Sequence, residues 1–145
     1  MTAYLIDNSA WVREADGDPA FMERIADIRS SPADFMVTCP PQVLEYCHSA
    51  RGKEDYTEYR DAITLGFPLE IHPTEDDVLD TQEALWEGGL ARSARAMDIL
   101  IAAYAILNNA VVLHCDHDYE YIAQVVPLQQ EYLTPTEPLR EVSHR

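Results

Sequence analysis

The sequence predicts an α/β protein with a mostly parallel central sheet and helices on its faces. Short apolar segments alternate along the chain with segments in which apolar residues recur at helical spacing. This alternation is typical of strand–helix–strand units, which place their strands in parallel. A length of 145 residues suits one domain, and no Gly/Ser-rich or charge-block segment divides it. We therefore predict one domain over residues 1–133 and a poorly ordered, proline-containing tail over residues 134–145.

The strands are predicted from short apolar runs that end at a turn signal or an acidic residue. Tyr4-Leu5-Ile6 ends directly at Asp7, and Val111-Val112-Leu113 is separated from Asp116 by two residues. A weakly alternating segment begins at Phe67 and ends before a proline. The predicted strands are residues 4–6, 35–38, 67–72, 111–113 and 125–133.

Capping and breaking residues delimit the predicted helices. Asp18 precedes Pro19, the order expected of an N-cap followed by proline at the first helical position. Thr74 precedes a run of acidic residues and is predicted to cap a helix that ends at Gly88. The residues that this helix is predicted to bury are Val78, Leu79, Leu85 and Trp86. The predicted helices are residues 19–30, residues 40–50, the segment between Gly52 and Gly66, and residues 74–87, 97–107 and 119–124.

The charge, the apolar segments and the cysteines limit the kinds of protein that the chain can be. A formal net charge of −16 repels nucleic acid at long range and favours basic partners or metal cations, although it could also serve only solubility. No run approaches the roughly 20 apolar residues that cross a bilayer, and the N-terminal residues lack the basic region of a signal peptide. The three cysteines have no metal-ligand spacing and are predicted to be free thiols. These features predict a cytoplasmic protein without a membrane segment.

Four acidic residues stand where a metal site would be expected. Asp7 and Asp116 follow predicted strands, and the carboxyl ends of parallel strands form the ligand-binding edge of such sheets. Asp98 is the one charged residue in an apolar helix, where burial of a carboxylate is costly unless a cation or hydrogen bonds satisfy it. Glu45 also lies among mainly apolar residues in the sequence. Converging carboxylates suit Mg²⁺ or Mn²⁺, although each acid alone could be a helix cap, a first-turn residue or a solvated position.

The same residues carry a resemblance to a known family. The segment from Tyr4 to Trp11 resembles the opening signature of PIN domains, especially the VapC-type toxins of bacterial toxin–antitoxin pairs. Glu45 in Val43-Leu44-Glu45 resembles the second acid of the family, and Asp98 resembles the acid that opens its D-x-x-I-A-A-x-A helix. Asp116, in the segment ending Asp116-His117-Asp118-Tyr119, resembles its last motif. Asn8 replaces the usual threonine of the opening signature.

This resemblance implies a fold, an activity and partners. The fold would be a three-layer α/β/α sandwich, and the activity would be that of an endoribonuclease, dependent on Mg²⁺ or Mn²⁺, that acts as a toxin. The partners would be a cognate antitoxin protein, an RNA substrate and a second copy of the chain in a homodimer. The residues that would hold the metal are Asp7, Glu45, Asp98 and Asp116, and Ser9 and Asp118 would be supporting groups.

Few positively charged residues are available to contact RNA. The predicted phosphate contacts are Arg51, Lys53, Arg92 and Arg95, although any one of them could lie on a solvated face. Other interpretations concern the metal site and the function. His114 and His117 could be metal ligands instead of the four carboxylates. The chain could also be a PIN fold that has lost catalysis and serves as a binding module, or a solitary RNA-processing nuclease.

Overall fold

The computed structural model describes residues 1–136, and it contains the predicted parallel sheet. The strands are β1 (Thr2–Ile6), β2 (Asp34–Thr38), β3 (Phe67–Pro68), β4 (Ala110–His114) and β5 (Gln129–Tyr132). Their order is β3-β2-β1-β4-β5, and every neighbouring pair is parallel. The α/β class and the parallel sheet are therefore confirmed. Residues 137–145, most of the predicted tail, lie outside the described part of the chain.

Helices cover both faces of the sheet and give three layers. The helices are α1 (Asn8–Ala15), α2 (Pro19–Ser30), α3 (Pro40–His48), α4 (Lys53–Ile63), α5 (Glu75–Glu87), α6 (Ala96–Leu107) and α7 (His117–Ala123). Among these helices, none is long and apolar enough to cross a membrane. Residues alternate across β1, so that Leu5 packs with α5, α6 and α7, whereas Ile6 packs with α1 and α2. The chain thus buries one apolar layer on each side of the sheet, as a three-layer sandwich requires.

Two predicted strands are longer than the strands in the structure. After Leu69 donates its amide hydrogen to the carbonyl of Thr38, the chain leaves the sheet. The next backbone groups, at Ile71, pair with the side chain of Asn108 instead of with a strand. The predicted strand 125–133 is also too long, because the amides of Val125 and Val126 still bond to the last turn of α7. In both places an alternative partner satisfies the backbone outside the sheet.

Two further features of the helices differ from the prediction. Helix α1 was not predicted, because only Ala10 and Trp11 are buried in it and so short a helix shows no clear period. In α5, Leu85 is buried but Leu79 and Trp86 are exposed. Leu79 and Trp86 each lie one residue past the side of the helix that carries the half-buried Val78 and the buried Leu85, so the predicted burial of Leu79 and Trp86 was wrong.

The pairing of β1 with β4 positions the predicted acidic residues. Asp7 directly follows β1, and its amide donates a hydrogen bond to the carbonyl of Leu113 in β4 at 2.9 Å. Asp116 lies just beyond the end of β4. The two carboxyl ends therefore meet at one edge of the sheet, which is also where α3, α6 and α7 begin.

Candidate metal centre

Asp7 is held in place as the N-cap of α1. Its Oδ2 accepts the amide hydrogen of Ser9 at 3.0 Å, and its Oδ1 accepts the phenol hydrogen of Tyr119 at 2.7 Å. The residue is buried. The capping role considered as an alternative for this residue is therefore present together with a place in an acidic cluster.

Asp98 is a buried carboxylate with an unsatisfied oxygen. It lies in the first turn of α6, and its Oδ2 has no hydrogen-bond partner among the described residues. Burial first, and then the nearby carboxylates of Asp118, Asp7 and Asp116, raise the pKa of Asp98 to about 9, although Arg95 opposes the shift. A buried oxygen of this kind is costly unless a cation or a proton neutralises it.

Tyr119 joins the two buried acids. It is fully buried in α7, with its hydroxyl oxygen 2.7 Å from Asp7 Oδ1 and 3.3 Å from Asp98 Oδ1. Since a phenol has one hydrogen to donate, the shorter contact to Asp7 is the stronger bond. Burial, and next the charges of Asp7 and Asp98, raise the pKa of Tyr119 well above its ordinary value, so the phenol stays protonated as a donor.

Glu45 is brought to the site by an anchored helix. The buried Gln42 donates through Nε2 to the carbonyl of Ile6 at 2.6 Å and accepts the amide hydrogen of Cys39 at 3.3 Å. These bonds tie the first turn of α3 to the end of β1, and Glu45 follows three residues later on the same helix face. Partial burial first, and then the charge of Asp7, raise the pKa of Glu45.

Asp116 and Asp118 form the outer part of the cluster. Asp116 caps α7 by accepting the amide hydrogen of Asp118 at 3.0 Å. The guanidinium of Arg95 pairs with Asp116 and lies 3.1 Å from Asp118 Oδ2 and 3.7 Å from Asp98 Oδ2. Partial burial would raise the pKa of Asp118, but hydrogen bonds from the amide and side chain of Arg95 lower it.

The acids form two groups of oxygen ligands that share one member. Oxygens of Asp7, Glu45 and Asp98 lie within 4.8 Å of one another, and so do oxygens of Asp98, Asp116 and Asp118. All of these donors are carboxylates, which are the ligands preferred by Mg²⁺ and Mn²⁺. The Oδ2 of Asp98 forms no hydrogen bond within residues 1–136 and has only the 3.7 Å contact with Arg95, which adds a reason for a cation beside Asp98. The residues present therefore fit a hard divalent ion.

The histidines near this edge are engaged elsewhere. Nδ1 of His114 lies 3.1 Å from the amide of Asp116 and accepts its hydrogen, so Nε2 carries the ring hydrogen and donates to Gln130 Oε1 at 2.6 Å. Burial lowers the pKa of His114, which keeps the ring neutral. His117 is exposed and pairs with Glu120. This arrangement favours the carboxylates over the histidines as metal ligands.

Comparison with known proteins places this geometry in a family. The sequence profile of the PIN domain family matches residues 4–125. The chain belongs to the PIN domain family. It is 34% identical over 140 residues to Ribonuclease VapC21 of Mycobacterium tuberculosis, covering 91% of this chain and 94% of that protein. It is 32% identical over 136 residues to Ribonuclease VapC11 of the same species, covering 86% and 95%.

A solved structure shares the fold of this PIN domain. The crystal structure of VapBC2 from Rickettsia felis, bound to a DNA fragment from their promoter, contains a chain that superposes with a TM-score of 0.68. The match covers 92% of this chain and 100% of the other at 16% sequence identity. Identity this low shows a common fold and leaves the activity to be argued from the site.

Ser9 forms two hydrogen bonds close to the acidic cluster of this PIN domain. Its amide donates a hydrogen bond to the capping carboxylate of Asp7, and its Oγ accepts the amide hydrogen of Cys115 at 3.0 Å. The hydroxyl therefore connects the start of α1 to the chain just beyond β4. This contact is consistent with the predicted supporting role, which remains a prediction.

The predicted RNA contacts lie in different places. Arg51 and Lys53 line a groove of about 1070 Å³ between α3 and α4, which His48 and Arg60 also line. Arg92 is exposed in the turn before α6 and forms no ion pair with any residue from 1 to 136. Arg95, by contrast, is already paired with carboxylates, so a phosphate would have to share it.

Two positioning residues of this PIN domain were not predicted from the sequence. Tyr119 stands in the last family motif, but its polar contact to Asp7 is indistinguishable in the sequence from an ordinary apolar position. Gln42 carried a usable signal, because a glutamine three residues after a helix cap can bond back to the cap amide. Its second bond, to Ile6, depends on the tertiary structure.

Proposed function

We propose that this PIN domain is an endoribonuclease that depends on Mg²⁺ or Mn²⁺. The ion would be held by Asp7, Glu45 and Asp98, while Asp116, the fourth ligand predicted from the sequence, lies in the adjoining group with Asp98 and Asp118 and pairs with Arg95. The observation that carries the proposal is the buried Oδ2 of Asp98, which has no partner among the described residues and lies among other carboxylates. Relatives named as ribonucleases, at 34% and 32% identity over most of the chain, support RNA as the substrate.

The residues of the chain would prepare the site for hydrolysis of a phosphodiester. When bound, a divalent ion supplies a water of lowered pKa and offsets the negative charge that grows on the phosphoryl oxygens. Tyr119 and the amide of Ser9 fix the two oxygens of Asp7, so that the carboxylate does not reorient. Arg95 reduces the mutual repulsion of Asp98, Asp116 and Asp118. Cleavage would leave a 5′-phosphate and a 3′-hydroxyl.

The substrate strand would follow the few cations that the chain offers. Arg51 and Lys53 line the groove beside α3, the helix that carries Glu45. Arg92 lies in the turn that precedes α6, the helix that carries Asp98. In a chain of net charge −16, these local positive charges are needed to offset the repulsion of the phosphates. We propose these three residues, with the exposed part of Arg95, as phosphate contacts.

The proposed role in the cell is that of a toxin controlled by an antitoxin. Relatives named VapC and a fold shared with VapBC2 support this assignment. A strongly acidic surface favours a basic partner, and an arginine supplied by the partner would pair well with carboxylates. We propose a cognate antitoxin and a homodimer as the assembly, acting in the cytoplasm. A catalytically silent binding module is less favoured, because the acidic cluster is intact.

Cleavage of RNA by the purified protein tests the function. With Mn²⁺ or Mg²⁺ present, the protein is expected to cut structured RNA, and EDTA or the Asp7→Asn substitution should abolish cutting. The reason is that either change removes the ion or one of its ligands. Gel analysis of a labelled RNA measures the effect, and enzymatic ligation of the fragments identifies their ends.

A matched surface substitution gives the control for this test. Asp80→Asn makes the same change of charge at an exposed position of α5 and should leave cleavage unchanged. Induced expression of the wild type should arrest bacterial growth, and the Asp7→Asn protein should not. Cutting that persists in both EDTA and the Asp7→Asn variant would disprove the metal mechanism.

A further inference from the structure

The two groups of carboxylates differ in how their charge is compensated. Arg95 lies across the outer group, formed by Asp98, Asp116 and Asp118, and pairs with all three. In the inner group, Asp7 and Glu45 form no ion pair with a Lys or Arg of residues 1–136. Asp98 belongs to both groups, and its Oδ2 forms no hydrogen bond within residues 1–136, with Arg95 Nε 3.7 Å away. The cluster thus carries a built-in cation on one side and none on the other.

We infer that the guanidinium of Arg95 takes the place of a second divalent ion, so that the chain binds one ion, at Asp7, Glu45 and Asp98. This inference rests on the proposed function. In a two-ion site the ions lie about 3.5–4 Å apart, and a shared carboxylate commonly lies between them. Asp98 is the carboxylate common to both groups here. The outer cation position is the one that Arg95 fills.

Arg95 is held at this position by its own backbone. Its side chain is 74% exposed, but its amide donates to Asp118 Oδ2 at 2.9 Å, the same oxygen that its Nε contacts. It is also the N-cap of α6, three residues before Asp98. The guanidinium is therefore attached close to its three partners. Its fixed charge and its fork of donors suit paired carboxylates without the dehydration that Mg²⁺ requires.

This arrangement also explains how Arg95 could contact a phosphate, as predicted from the sequence. The second ion of a two-ion nuclease contacts the phosphate that is being cleaved. A guanidinium has five N–H donors, and three carboxylates leave some of them free. The N–H donors of Arg95 that do not contact carboxylates could then donate to a phosphate oxygen while the others remain paired.

The number of bound ions tests the inference directly. Mn²⁺ titration, followed by calorimetry and by electron paramagnetic resonance, should give one isolated ion per wild-type chain. Arg95→Ala frees the outer carboxylates and should bind two ions whose resonance shows spin coupling. Arg95→Lys, which keeps a positive charge, should bind one. The double substitution Arg95→Ala with Asp118→Asn removes an outer ligand and should return the count to one.

The controls separate this inference from the proposed function. Arg92→Ala removes a nearby arginine that forms no ion pair with any residue from 1 to 136, and it should leave the count at one. Circular dichroism checks folding, and Arg95→Gln replaces Arg95→Ala if the latter does not fold. Two ions in the wild type, or one ion in the neutral Arg95 variants, would overturn the inference and leave the proposed function standing. No bound ion in the wild type or in any variant would contradict both.

Discussion

The Asp98→Asn variant is expected to lose RNA cleavage and yet to unfold at a higher temperature than the wild type when both are free of metal. Loss of a charged ligand should slow cleavage by roughly 10²–10³-fold, the usual cost of removing one group that stabilises charge in a transition state. The gain in stability follows from burial, because Asp98 is 4% exposed and its Oδ2 has no hydrogen-bond partner within residues 1–136. An amide in its place carries no charge to bury.

The sign of the pH dependence follows from the direction of the pKa shift. The pKa of Asp98 is raised to about 9 in the folded protein, whereas an unfolded aspartate titrates near pH ~3.9. The folded state of the wild type therefore holds a proton more tightly, and its stability falls as the pH rises from about 4 to about 9. Each pKa unit corresponds to about 1.4 kcal/mol, which is roughly 4 °C in Tm for a domain of this size.

Thermal unfolding in EDTA at a series of pH values measures this difference. The Tm of Asp98→Asn should exceed that of the wild type by an amount that widens as the pH rises towards 9, and added Mn²⁺ should raise the Tm of the wild type but not that of Asp98→Asn. Asp80→Asn, at an exposed position of α5, should follow the wild type throughout. A variant that is less stable than the wild type at pH 8 would show that the carboxylate is satisfied without a metal.

The Gln42→Leu variant is expected to be destabilised by about 2–4 kcal/mol, since two buried backbone groups would lose their partners at a typical cost of about 1–3 kcal/mol each. Those groups are the carbonyl of Ile6 and the amide of Cys39. Because the same bonds fix the start of α3 against β1, Glu45 should also be less well placed. Weaker Mn²⁺ binding and slower cleavage should accompany the loss of stability.

Urea unfolding and Mn²⁺ titration measure the two effects of this substitution. Gln82→Leu is the matched control, because Gln82 is an exposed glutamine in the helix α5. It should change stability by less than about 0.5 kcal/mol and leave Mn²⁺ binding unchanged. If Gln42→Leu were as stable as the wild type and bound Mn²⁺ normally, Gln42 would have no positioning role.

The parts of the fold that the sequence predicted best have local signals. Asp18 and Thr74 accept hydrogen bonds from amides in the first turns of α2 and α5, as their places before proline and acidic residues predicted. The parallel sheet followed from the alternation of apolar segments with helical patterns. By contrast, the end of β3 depends on Asn108, which is distant in the sequence and takes the backbone groups of Ile71. No local pattern encodes that contact.

In the candidate site, too, local sequence signals predicted some features, whereas contacts between distant residues were missed. Strand ends and apolar surroundings were sufficient to select Asp7, Glu45 and Asp98, which the structure brings together. The pairing of Arg95 with three acids was not predicted, because its partners lie on two separate helices and in the loop before one of them. Asp7 is both the N-cap of α1 and a member of the acidic cluster, so a capping pattern does not argue against a metal site.

The position of a bound Mn²⁺ ion tests the central claim most directly, and anomalous scattering from crystals grown with Mn²⁺ would locate it. We expect one peak per chain, within coordination distance of Asp98 Oδ2 and of carboxylate oxygens of Asp7 and Glu45. The Asp98→Asn protein should lack this peak. A peak at His114 or His117, or an Asp98 that stays uncoordinated at saturating Mn²⁺, would contradict the account.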